Sequence, residues 1–563
     1  MSADLVLRGG RVVDGTGAPE RLADVAITRE RVTEVGRYTG SAKREIDVSG
    51  AVVAPGFIDV HTHYDAQLHW EPTATPSCWH GVTTVLCGNC GFTLTPARSE
   101  DTAWLADMLS RVEGMSPAAL RDGLGWDGGS FGDYWKRLEG RLGVNAASYV
   151  GHSAVRRFVL GDDASVRRAR AGEIEAMCDL VRRSLREGAL GFSSSQLEIH
   201  VAHDGREVPS NHASAEEVLA LAAVVGEIEG GSLEFIPRSF VEGYSAEDRR
   251  LMLDMARVSR SPLELNLVTP LPADPEGWRK SLEFAHAAHA EGLSIHPMFA
   301  ANQQAAYFAL DSTFLFDELP CWRAILTLPL AERFSRLRDP VVRAELDRDL
   351  CHARAFRPYW PITYVEAVRD VAHADWVGRS VADLAAERGV EPLDCFLDLS
   401  LEEDLATTFV LRAPMTRDGR ALRASMVVDP LLSAGSSDGG AHLLSLVGVD
   451  YTTRMITDWV PETISLETAI HRMTGEPASR HGLSGRGTLA AGSFADVVVF
   501  DPKRLRVGAT RVAHDFPAGS SRLVIDAEGY VMTLVNGAPL LEGGVHTGAL
   551  PGHFLRGAGA RPA

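Results

Sequence analysis

The run PGFIDVHTHYD (55–65) ends an apolar stretch with two histidines, His61 and His63, separated by one residue. On a β-strand, residues i and i+2 face the same side, so these two imidazoles project together. Neutral imidazole nitrogens suit Zn²⁺ and similar ions. The spacing alone is unspecific; its place at the end of an apolar strand is what points to a metal. A second candidate is SSDGGAH (436–442), where Asp438 precedes two glycines at the end of another apolar run. A carboxylate there could ligate a metal and take a proton from a bound water. The competing reading is a turn aspartate that caps a following helix. The third is GVTTVLCGNCGF (81–92), which sets Cys90 in a glycine-rich turn. Cys87 and Cys90 form a CxxC with no second such pair, which does not support a closed structural zinc site. Redox use would call for a thioredoxin-like βαβ context, absent here. Cys90 therefore reads as a metal thiolate, with buried filler as the alternative, and Cys87 as strand interior.

Further residues stand at comparable positions. His152 closes the third apolar strand candidate and His296 the seventh. Each reads equally as a contact to substrate or metal and as a satisfied structural histidine. Glu234 and Asn266 lie in the fifth and sixth candidates, and Arg238 at the end of the fifth could hold a substrate carboxylate bidentately. His200, His203 and His212 occupy a polar loop after GFSSS (191–195) and read as solvated.

These residues need a scaffold. Apolar strand candidates fall at 56–61, 82–86, 146–151, 190–194, 233–236, 263–267, 294–297 and 433–437, with helical segments between most of them. SAEE (214–217) is a capping-box pattern opening a helix to 227, and 277–291 is an amphipathic run stopped by Gly292. Eight strand–helix units imply an α/β chain folded as a (β/α)₈ TIM barrel. The long span at about 300–432, between the last two strands, reads as a mostly helical insertion over the face where barrel active sites lie. Both chain ends alternate apolar and polar residues between glycine turns, predicting one small β-sandwich built from 1–54 and 487–563 around a metal-dependent barrel at 55–486. The tail 557–563 is expected to fray.

Composition excludes several classes. With 563 residues, 45% hydrophobic and 23% charged, the chain is neither disordered nor fibrous. A net charge of −19 disfavours nucleic acid and anionic membranes as partners. Mean hydropathy is −0.04, and no long uncharged apolar run predicts a membrane span. Asp4 and Arg8 interrupt the first apolar stretch, against a signal peptide, and seven scattered cysteines read as free thiols of a reducing cytoplasm.

Taken together, the motifs resemble the amidohydrolase superfamily, and more closely the N-acyl-D-amino-acid deacylase (D-aminoacylase) family. LVLRGGRVVDGTG, VVAPGFIDVHTHYD, GVTTVLCGNCG, GALGFSS, SSDGGAH and the long SLETAIHRMTGEPASRHGLSGRGTLAAGSFADVVVFDP occur in the family's order. The resemblance implies a barrel flanked by a β-sandwich, and zinc at His61, His63, Cys90 and Asp438. It also shows a departure. Relatives carry metal-binding histidines at the ends of the fifth and sixth strands, where this chain has Ile236 and Asn266. A bridging carboxylated lysine is excluded as well, because Lys43, Lys136, Lys280 and Lys503 all lie away from strand ends. The expectation is one Zn²⁺ per chain on His61, His63 and Asp438 with Cys90 contributing or nearby, a second site requiring Glu234 or His296. The expected reaction is hydrolysis of the linear amide of a small N-acyl amino acid, D-configured by resemblance, with Asp438 moving the proton. Two alternatives stay open: cyclic-amide hydrolysis of the hydantoinase type, and a non-catalytic homologue. A symmetric dimer is the base-rate expectation for assembly.

Overall fold

The computed structural model describes residues 2–561 apart from 270–275, 304, 312, 355, 414 and 446. Its centre is a succession of parallel strands in chain order. Phe57–Asp59, Val82–Cys87 and Asn145–Ser148 form one sheet. Val150–Gly151, Gly191–Ser195, Ser232–Ile236, Leu263–Leu265, Ile295–Phe299 and Ser433–Ala434 form the next. Each strand pairs in parallel with its chain neighbour. The two sheets meet in the stretch 145–151, and a parallel bridge between Thr62 and Gly439 joins the residues after the first strand to those after the last. Every residue of Val82–Cys87, Gly191–Ser195 and Ser232–Ile236 is buried, the pattern of strands covered on both faces.

Helices Ala171–Glu187, Ala215–Val225, Ala246–Ser259 and Gly277–Ala290 alternate with these strands. The capping box at 214 forms only by half. Ser214 Oγ accepts from Glu217 N at 3.2 Å, but the Glu217 carboxylate turns inward to His152 and Arg156 instead of back to the helix end. A buried cation outcompetes an exposed backbone N–H for that carboxylate.

Both chain ends contribute to a single nine-stranded sheet. Val52–Pro55 pairs antiparallel with Val497–Phe500 and parallel with Ala3–Val12. Leu7, Val25, Val53 and Val499 close an apolar core of its own beneath it. Because Val52–Pro55 runs within two residues into Phe57–Asp59, this sheet anchors the entry to the His61–His63 strand. The tail does not fray over its described part: Gly557 N donates to Gly188 O and Arg561 N to Arg186 O, both at 3.0 Å.

Between Phe299 and Ser433 the chain is not purely helical. Helices such as Pro320–Leu326, Pro340–Leu350 and Pro392–Glu402 surround a three-stranded antiparallel sheet of Ala306–Phe308, Thr408–Leu411 and Thr363–Ala367. Short β-branched and aromatic runs such as TFVL favour strands over helix there. Phe308, Phe316, Trp322, Phe396 and Phe409 form a separate aromatic core. This segment packs against the helix Thr102–Val112 through an Arg111–Asp317 ion pair and against the SSDGGAH loop through Phe314, whose ring stacks on His442 at 4.4 Å. Among the described residues, no helix is long and apolar enough to cross a membrane. All seven cysteines are free thiols.

Candidate metal centre

Three loops at the C-terminal ends of the parallel strands build the site. After Phe57–Asp59 the chain carries His61 and His63, whose rings stand 5.2 Å apart, edge to face. After Val82–Cys87 the turn GNCG is held from all sides. Asn89 Nδ2 donates to Thr62 O and Leu86 O, Cys90 N donates to Glu234 Oε2 at 2.7 Å, and Gly91 N donates to Ser193 Oγ at 3.1 Å. Gly88 sits at φ +74 with the Tyr149 carbonyl 2.6 Å from where a Cβ would stand, so the turn needs glycine here. After Ser433–Ala434, the SSDGGAH loop is stitched to the first. His63 N donates to Gly439 O at 2.7 Å and Ser437 Oγ to His61 O at 3.3 Å.

These loops bring His61, His63 and Cys90 to one point, with one donor atom of each within 4.8 Å of the others, and set Asp438 beside the two histidines. Cys90 Sγ lies 3.4 Å from His61 Nε2 and 3.8 Å from His63 Nε2. Asp438 Oδ1 lies 3.2 Å and 3.9 Å from the same two nitrogens. Zinc bonds of about 2.0–2.3 Å would place tetrahedral donors about 3.3–3.8 Å apart. The spacing of His61, His63 and Cys90 fits such an ion, and Asp438 approaches it from the histidine side. Cys90 and Asp438 also take left-handed backbone, φ +56 and +51. Non-glycine residues hold that conformation at a cost of order 1 kcal/mol and do so most often where function demands it.

The electrostatics point the same way. His61 and His63 are buried neutral imidazoles: burial pushes His61 down to about 3 and His63 well below its ordinary value. Burial lifts Asp438 to about 7 and the Cys90, Glu113 and Glu234 acids well above their usual ranges. Among the described residues no lysine or arginine lines the cavity shared by Cys90, Glu113 and Asp438. Acids crowded in a dry pocket without a cation are costly. A divalent ion would supply the missing charge and release their protons on binding. Asp438 is the donor most open to the cavity, with 18% of its side chain exposed against 0% and 2% for the two histidines.

The remaining site candidates divide. Asn266 lines the cavity with Nδ2 3.9 Å from Cys90 Sγ, and Ile236 forms apolar wall. Glu234 is committed at Oε2 to Cys90 N, while its Oε1 has no hydrogen-bond partner. Three others are not brought here. His152 opens a helix and spends both ring nitrogens, on Ser194 Oγ and Glu217 Oε1. His296 does not close its strand. Ile295–Phe299 runs three residues further, which leaves His296 near the opposite end, bonded to Ser294 Oγ and Leu431 O. It therefore cannot rebuild a second metal site. Arg238 faces outward, paired with Glu198 at 3.0 Å and donating to Asn211 O.

Three further residues line the cavity. His200 is not merely solvated: its ring packs edge-on against Phe92 and lines the cavity. His442 closes the SSDGGAH motif and lines the same wall, a signal the motif itself carried. Glu113 stands in RVEGM with no motif at all, yet its Oε1 lies 3.1 Å from His63 Nδ1.

A model of the amidohydrolase family matches residues 44–541. An uncharacterised Mycobacterium tuberculosis protein is 30% identical, over 96% of this chain and 92% of its own. A D-aminoacylase of Alcaligenes xylosoxydans is 29% identical, over 98% and 97%. A D-aminoacylase crystal structure superposes with a TM-score of 0.67 at 27% identity, covering 98% of this chain and all of that one. Another D-aminoacylase structure, at 26% identity and a TM-score of 0.65 with the same coverage, concerns a binuclear metal centre with one-metal activation and second-metal attenuation.

Proposed function

The chain belongs to the amidohydrolase family, and from that premise we propose that it is a zinc-dependent hydrolase of N-acyl-D-amino acids carrying one metal per chain. The observation that carries this reading is the convergence of His61, His63 and Cys90 at metal-ligand spacing, with Asp438 beside the two histidines at the same buried cavity. The relatives supply the reaction class. Chain-order parallel pairing and the Thr62–Gly439 bridge support reading the strands as a closed (β/α)₈ barrel at 55–486. The nine-stranded sheet then serves as the accessory β-sandwich of 1–54 and 487–563.

His61, His63 and Asp438 hold the ion, with Cys90 as thiolate ligand. Bound there, Zn²⁺ polarises a carbonyl oxygen and lowers the pKa of water toward about 7. Asp438 accepts the proton that water releases on attacking the acyl carbon, then delivers it to the departing amine nitrogen. Amide and water thus yield a carboxylate and a free amino acid. Phe92, Leu197, Ile236 and Phe240 wall the cavity and exclude bulk water. Ser195 Oγ accepts from Leu197 N and stands 2.9 Å from His200 Nδ1, which occupies that ring nitrogen. With the Ser195 hydroxyl donating to Nδ1, His200 Nε2 carries the proton and can meet an oxygen of the substrate. Ile236 and Asn266 in place of ligating histidines restrict the centre to one ion, in keeping with one-metal activation in the D-aminoacylase relative. None of the four lysines lines the cavity, which argues against the hydantoinase arrangement.

Elemental analysis together with turnover of N-acetyl-D- and N-acetyl-L-amino acids tests the reading. About one zinc per chain and D-selective release of free amino acid are expected. A chain that purifies without metal and turns over neither series would instead be the non-catalytic homologue.

A further inference from the structure

Glu113 ends the helix Thr102–Val112 and is 2% exposed. A carboxylate buried this deeply without a cation is expensive. Its Oε1 stands 3.1 Å from His63 Nδ1, and these two buried atoms have no other hydrogen-bond partner among the described residues. Its main-chain carbonyl accepts from His442 N, which fixes the backbone on which the side chain is mounted. The neighbouring residue pairs also tie this segment down, since Arg111 holds Asp317 from the 300–432 segment. The carboxylate therefore addresses one ring nitrogen of a histidine whose other nitrogen faces Cys90 and Asp438.

We propose that Glu113 is a positioning residue for the metal centre: its carboxylate accepts a hydrogen bond from the Nδ1–H of His63, fixes the ring's orientation and presents the Nε2 lone pair to the ion. This rests on the reading of the cavity as a metal site. It explains why a buried acid stands 50 residues from its partner in a segment without any motif. Carboxylate–histidine–metal arrangements change metal affinity by about 10–100-fold when the outer acid is lost. Glu113→Gln keeps an oxygen acceptor but loses the charge, whereas Glu113→Ala removes both.

The test is Zn²⁺ affinity of the metal-stripped full chain, measured by competition with a chromogenic chelator, for wild type, Glu113→Gln and Glu113→Ala. Far-UV circular dichroism and melting of the stripped forms control for folding. The expected result is about 10–100-fold weaker binding in Glu113→Ala and a smaller loss in Glu113→Gln, with the stripped proteins equally folded. Nitrogen-15 shifts of His63 should show Nδ1 protonated in wild type and that preference lost in Glu113→Ala. Wild-type affinity in both variants would overturn the role of Glu113 while leaving the hydrolase reading intact. A wild-type chain with no measurable Zn²⁺ affinity would overturn both. If Glu113→Ala does not fold, Glu113→Gln and the His63 spectrum decide.

Discussion

The chemistry at the residue scale is a division of labour among buried groups. His61 and His63 are neutral because burial opposes their protonation, which keeps their lone pairs free for an ion. Asp438 differs by being open to the cavity and raised to about 7, where a carboxyl can both accept and return a proton. Replacing His61 and His63 by alanine should abolish bound metal, read by elemental analysis. Asp438→Asn, compared with wild type after loading with metal, should lower kcat by about 10²–10⁴-fold, the usual worth of a positioned acid–base group. Wild-type kcat in a metal-loaded Asp438→Asn chain would falsify its role. His200→Ala should raise KM for N-acyl-amino acids several-fold at unchanged metal content, and His200→Gln, which restores an N–H donor, should recover part of the loss. An unchanged KM in His200→Ala would remove His200 from the substrate contacts.

Elements matter because each places one donor at a strand end and then turns sharply. Gly440 lies at φ +90, and a Cβ there would stand 2.7 Å from the His63 carbonyl carbon. Gly440→Ala must therefore move either the SSDGGAH loop or the His63 backbone. It should cost at least about 1 kcal/mol of stability and weaken metal binding together. Thermal melts and zinc titration of the same preparation check this, and a variant that melts and binds like wild type would show that the loops are not stitched as described. The strand ends were legible from apolar runs meeting glycine turns, since that pattern is local. The exact length of Ile295–Phe299 was not. Its extra residues decide whether His296 faces the cavity or the opposite end, and only pairing with Leu263–Leu265 and Ser433–Ala434 sets that register.

For the whole molecule, packing between distant segments controls both how the 300–432 segment is held and acid stability. Arg111 and Asp317 are a largely buried pair joining the 300–432 segment to the helix beside Glu113. Asp317→Ala leaves the arginine unmatched and should loosen that segment, seen as faster limited proteolysis within 300–432. Cleavage at the wild-type rate would mean the pair does not hold it. Deeper in, His481 donates to or accepts from Tyr149 Oη at 3.1 Å and burial presses it down to about 3. An unfolded histidine titrates near about 6.5. The folded value is depressed, so His481 contributes stability above about pH 6.5 that is lost as pH falls toward 3. The stability advantage of wild type over His481→Gln should accordingly shrink between pH 7 and 4, measured as the difference in melting temperature; a constant difference would contradict a neutral buried imidazole.

What the sequence by itself determined is local: a strand ending in His-Thr-His, a glycine turn bearing Cys90, a glycine pair after Asp438, and the order in which they recur. Those features depend on side-chain alternation and on where backbone can turn, and both are written in neighbouring residues. Tertiary structure alone decided which of the remaining polar residues meet them. Glu113 reaches His63 across 50 positions, and His200 and His442 enter the cavity wall, while His152, His296 and Arg238 find partners elsewhere. A polar side chain's role is set by which buried group competes for it, and that competition exists only once distant strands and helices have packed.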